Sequence, residues 1–156
     1  MKRLVDTNVV VVASARVADH AEPGCVVRCG QFLQKLMQEG HLVVDAGNEI
    51  LREYKGYANQ HGQPGPGDAF FQWMLTNLFN PERCTRVPLT AHPTRGYEEF
   101  PDDPGLSTFD PSDRKFAAVA HAHPDRPPVA YAIDRGWPNH EAVLATHGVQ
   151  LEALCP

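Results

Sequence analysis

The sequence contains no apolar run near the ~18 to 20 residues that a bilayer helix needs. Its N-terminus passes from Lys2-Arg3 through a few apolar residues to Asp6. Neither a membrane span nor a secretory leader is expected from that pattern. Cysteine is scarce: Cys25, Cys29, Cys84 and Cys155 are too few and too scattered for a disulfide framework. All four are therefore expected as reduced thiols in a cytoplasmic protein. Basic excess is also missing, since 14 Lys and Arg stand against 19 Asp and Glu for a formal charge of -5. This excludes passive binding of nucleic acid by bulk charge, but not a site whose carboxylates hold divalent cations that then face a phosphate. No G-x-x-x-x-G-K-S/T or G-x-G-x-x-G occurs, so nucleotide-cradling loops are excluded. What is present suffices for a core: 156 residues, 42% apolar, fit a single domain, 1–156.

Short apolar runs ending in an acid recur along the chain. Arg3 to Asp6 reads as a first strand, His41 to Asp45 as a second and Val129 to Asp134 as a later one, while Val149 to Leu154 alternates as a last strand. The β-branched stretch Val9 to Val12 cannot be assigned by periodicity. Between the strands, Val26, Val27, Phe32, Leu33, Leu36 and Met37 recur at helical spacing and stop at Gly40. Asn48 is placed to cap a helix through Ile50, Leu51 and Tyr54, and 68–79 carries an apolar face with Phe70, Phe71 and Met74. Residues 95–111, rich in turn residues and acids, read as an exposed acidic loop. Asp110-Pro111-Ser112-Asp113 is a strong helix start, with Asp110 as N-cap, and a helix over 139–147 closes at Gly148. Alternating strands and helices predict an α/β fold of three layers, α/β/α, with a mostly parallel central sheet of about five strands. Ligands in such sheets sit outside the carboxyl ends of the strands, where Asp6, Asp45 and Asp134 fall.

Four segments then line up: L-V-D-T-N at 4–8, E-I-L-R-E-Y at 49–54, D-P-S-D-R-K-F at 110–116 and A-I-D at 132–134. In their order and spacing the chain resembles the PIN domain family, over nearly its whole length. The resemblance implies a small α/β nuclease in which Asp6, Glu53, Asp113 and Asp134 form one acidic pocket, with Asn8 as the polar residue of the opening motif. It departs from the family at Asp45, where many members carry serine, and Ala46-Gly47 lengthens that segment. Glu49 therefore rivals Glu53 for the helix position, and residues four apart share a face. The stretch 83–109 matches nothing in the family pattern.

The implied chemistry is phosphodiester hydrolysis, in which carboxylates hold one or two Mg2+ or Mn2+ ions that activate water and steady the leaving oxygen. An RNA substrate, and for many small members an antitoxin partner or a homodimer, follow from the resemblance alone. Arg114 and Arg135, with Arg16, Arg52, Lys55 and Lys115, lie within a few positions of the acids and form a basic track for flanking phosphates. Asp110 and Glu49 are supporting acids. Two rival readings are a non-catalytic scaffold or RNA-binding module and an aspartate-nucleophile phosphatase, though the latter expects an acid where Asn8 stands. His20, Cys25 and Cys29 lack a fourth metal ligand, so these cysteines are assigned to the core. His92, His121, His123, His140 and His147 are assigned to helix ends and surface.

Overall fold

The computed structural model describes residues 1–16 and 21–156; His20 lies outside them. Five parallel strands make the central sheet: β1 (Lys2–Val5), β2 (His41–Asp45), β3 (Cys84–Val87), β6 (Val129–Tyr131) and β7 (Leu151–Ala153), in the order β3-β2-β1-β6-β7. A short antiparallel pair, β4 (Ala91–His92) and β5 (Gly96–Tyr97), stands apart from it. Helices α1 (Thr7–Ala13), α2 (Pro23–Glu39) and α4 (Pro66–Asn77) pack on one another, and α5 (Arg114–Ala122) lies against β1, β2 and β6. Helix α3 (Glu49–Lys55) follows β2, and α6 (Gly136–Asn139) and α7 (Glu141–Thr146) connect β6 to β7. The α/β expectation with a parallel sheet of about five strands is met. The strands of the central sheet are joined by crossovers, as parallel pairing requires.

Several local expectations change. Val9 to Val12, which periodicity leaves unassigned, form helix, because all four are buried and packing outweighs β-propensity. Gly67 permits the contact between α1 and α4, since a Cβ there would stand 2.1 Å from the Val10 carbonyl oxygen. Asn48 takes a left-handed conformation and makes no side-chain cap. The carboxylate of Asp45 caps α3 instead, accepting from the Glu49 and Ile50 amides at 2.8 and 2.9 Å. Strand β3 was not anticipated: half its residues are polar or charged, and pairing with β2 alone defines it.

Residues 95–111 are not simply an exposed loop. Phe100, Leu106 and Phe109 are buried there, with Phe109 edge-on to Trp137 at 5.0 Å between ring centroids. Phe79, at the end of the apolar face expected over 68–79, is 78% exposed. The cysteines also differ from expectation, for Cys25 and Cys155 are joined as a disulfide while Cys29 and Cys84 are free. Cys25 and Cys155 lie 130 apart in sequence, so only the meeting of α2 with the segment after β7 reveals the pair. Among the described residues, no helix is long and apolar enough to cross a membrane.

Candidate functional site

Strand order reverses between β1 and β6, and the crevice at their carboxyl ends is where open α/β sheets bind ligands. Asp6 is the first residue beyond β1, with its amide held by the Ala130 carbonyl at 2.9 Å. Asp134 comes three residues after β6, and its Oδ1 accepts from the Gly136 amide at 2.8 Å. Asp113 ends the 3-10 turn that opens α5, a turn capped by Asp110 through the Ser112 amide, as its sequence predicts. Oxygens of Asp6, Asp113 and Asp134 lie within 4.8 Å of one another. The crevice is also walled by Thr7, Asn8, Glu53, Tyr57 and Asp110.

Like charges packed in a low-dielectric wall resist ionisation. Burial, then the charges of Asp134 and Glu53, raise Asp6 from 3.8 to about 7. The Asn8 amide and the Trp137 indole act in the opposite direction. Even so, neither Asp6 Oδ2 nor Trp137 Nε1 has a hydrogen-bond partner of normal geometry, though both are buried. Asp113 is raised further, first by burial, then by the Asp6 charge and by a hydrogen bond with Asp134. Asp6 and Asp113 thus retain protons that isolated carboxyls would lose.

The four acids expected to act together are not equivalent. Glu53 lines the same crevice, but its carboxylate accepts a hydrogen bond from the Thr7 hydroxyl and pairs with Lys115 Nζ at 3.2 Å. Glu49 does not line it: it points outward and pairs with Arg52 on the surface, so the choice between the two falls on Glu53. Tyr54, buried next to Glu53 in sequence, donates its hydroxyl to the Val5 carbonyl and fixes α3 against β1. Thr7 and Trp137 are site residues that sequence reasoning missed. Thr7 stands inside the D-T-N segment and Trp137 three residues after Asp134, and those positions are the only signal either gives.

The basic track is largely dismantled. Arg114 is buried and donates to the carbonyls of Phe109, Leu106, Ser107 and Arg95, with its guanidinium 4.9 Å from the Phe100 ring centre. It braces the 95–111 segment and is not free to meet a phosphate. Lys115 is buried against Glu53 and Ser112, Arg52 pairs with Glu49, and Arg16 pairs with Asp68 at 2.7 Å. Arg135 stays exposed beside Asp134, and Lys55 is also exposed.

Compared with known proteins, the chain matches no family model, no curated protein and no solved structure.

Proposed function

We propose that the protein is a metal-dependent nuclease of PIN type that hydrolyses RNA, with Asp6, Asp113 and Asp134 holding Mg2+ or Mn2+. One observation carries this reading: three carboxyls converge at the reversal point of the sheet, and the buried Asp6 Oδ2 among them has no partner. An all-oxygen donor set suits a hard divalent cation, which would offset the burial and repulsion that keep Asp6 and Asp113 protonated. Held by these residues, such a cation would supply an acidified water and neutralise charge on the phosphate and the departing oxygen.

The chain's own residues set the rest. Asp134, anchored by the Gly136 amide, and Asp6, fixed in register with Ala130, keep their oxygens converging without side-chain rearrangement. Asp113, hydrogen-bonded to Asp134, holds its proton in the free protein and would give it up on binding a cation. Glu53, held by Thr7 and Lys115, adds negative charge to the wall and completes the crevice. Asn8 presents an amide for orienting water, and Arg135 stands where a flanking phosphate would lie. A cytoplasmic location belongs to this reading as well, and its reducing poise would expose the Cys25–Cys155 bond to reduction. An antitoxin or a second copy as partner belongs to the same family-based reading.

The test is cleavage of a mixed single-stranded RNA pool with Mn2+, Mg2+ or EDTA, beside an Asp6→Asn plus Asp134→Asn variant. Cleavage that needs the ion and falls by roughly a hundredfold or more in the variant is expected. If the ions support no cleavage and calorimetry detects no Mn2+ binding by the wild type, the reading is wrong.

A further inference from the structure

Three sulfurs converge where α2 meets the segment after β7. Cys25 and Cys29 are four residues apart on α2 and so share a face, and the segment after β7 delivers Cys155 to that face. The free thiol of Cys29 lies 4.0 Å from the Cys155 sulfur, and all three sulfurs are within 4.8 Å of one another. Cys29 and Cys25 are buried, while Cys155 is only half-buried. A cavity lined by Glu22, Cys25, Arg28, Ile133, Cys155 and Pro156 gives access from solvent.

A crosslink uses two sulfurs, and this cluster has three. Thiolates bound to a d10 cation at about 2.3 Å stand about 3.8 Å apart in a tetrahedron and about 4.0 Å apart in a trigonal plane. The Cys29–Cys155 separation of 4.0 Å already equals such an edge. The Cys25 and Cys155 sulfurs separate on reduction, and Cys155 belongs to the more exposed segment. We propose that reduction of the Cys25–Cys155 bond converts this cluster into a three-thiolate site for a thiophilic d10 cation of the Zn2+ class, open toward Glu22 for a fourth donor.

The chemistry balances with an external dithiol as reductant. Two electrons and two protons pass to the Cys25–Cys155 bond, giving two thiols, and the dithiol closes to its own disulfide. The three thiol protons then leave to solvent as the cation binds. Burial pushes the Cys29 thiol up to about 11, partly offset by Arg28, so without a cation this sulfur stays protonated. The cluster is chemically separate from the carboxylate crevice, for soft sulfur and hard oxygen donors select different ions. Sequence spacing supplied only two of its ligands, and the fold supplies the third.

The test is titration of the full chain with Cd2+, followed by thiolate-to-metal charge-transfer absorption, after reduction by a phosphine and removal of that phosphine. One Cd2+ per chain is expected for the reduced protein, displaceable by Zn2+, and none by sulfur ligation once the disulfide is restored. Asp6→Asn and Cys84→Ala keep the signal, while Cys29→Ala weakens binding by at least about tenfold. Since Cys29 is buried, Cys155→Ala in the more exposed segment serves as the second variant and weakens binding equally. Absorption that is absent from the folded, reduced protein overturns the proposal. Absorption that is indifferent to the disulfide, or undiminished in Cys155→Ala, does so as well.

Discussion

Asp6 and Asp68 are both sealed from solvent, yet their surroundings drive them in opposite directions. Asp68 sits at the start of α4, where Arg16 offers two N–H groups at 2.7 and 2.8 Å and the amides of Asn59 and Gly65 donate at 2.7 and 2.8 Å. Burial alone would raise its pKa, but the Arg16 hydrogen bonds and the two amides outweigh burial and hold it below the usual value. Asp6 meets Asp113, Asp134 and Glu53 instead, and one of its oxygens has no donor at all. A buried carboxylate with four donors is a fastener for the α3–α4 connection. A buried carboxyl among other carboxyls is instead pushed toward its neutral form, and that contrast separates an acid that is already satisfied from one that is not.

The comparison predicts opposite pH slopes. Asp6 has a folded pKa raised from 3.8 to about 7, so the stability tied to its neutral form is complete below pH 3.8 and is lost as pH rises to 7. At a cost of roughly 1.36 kcal/mol per unit, the metal-free protein loses about 4 kcal/mol from this group alone. Asp6→Asn, which stays neutral, should therefore flatten the pH dependence and exceed the wild type in urea stability at pH 8 without metal. Equal slopes for the two proteins would sink the assignment.

Asp68 runs the other way. Its folded pKa is lowered, so its contribution is present above about pH 4 and fades as pH falls through the folded value. Asp68→Asn should cost about 2 to 4 kcal/mol at pH 7, because Arg16 and two amides lose a charged acceptor. The deficit should shrink in acid, as urea midpoints at pH 7 and pH 3 would reveal.

Divalent ions should act on one aspartate and not the other. Mn2+ at a hundred times its Kd stabilises a binding-competent fold by about 2.7 kcal/mol. The increment in Tm should be larger at pH 8 than at pH 5, where protons compete for Asp6 and Asp113. It should survive in Asp68→Asn and vanish in Asp6→Asn plus Asp134→Asn. An increment retained in the double variant would move the cation elsewhere.

The smallest effects belong to the arginines. Arg135→Ala should leave stability within about 0.5 kcal/mol. If it meets a phosphate, RNA affinity should fall with a salt slope reduced by about 0.7. Arg114→Ala should instead lower stability, since four carbonyls lose their donor, and filter binding beside urea titration separates the two outcomes.

Much of this molecule was legible before any tertiary contact was known. Alternating apolar runs and helical faces fixed the α/β class, because side-chain period alone separates strand from helix. The Asp110 cap and the helix stop at Gly40 followed from the chemistry of helix ends. The D-T-N opening and the acids at 113 and 134 marked the crevice, because loops after parallel strands emerge on one side of the sheet. Tertiary structure alone decided how each charge is used. Asp45 and Arg114 look like site residues in sequence and became a helix cap and a brace, since nearby amides and carbonyls claimed them first. Val9 to Val12 became helical through burial on every side. The joining of Cys25 to Cys155, and the approach of Cys29 to that pair, depend on where two distant segments meet. Local order is written in neighbours along the chain, whereas the state of a buried charge or thiol is set by whatever the fold brings to it.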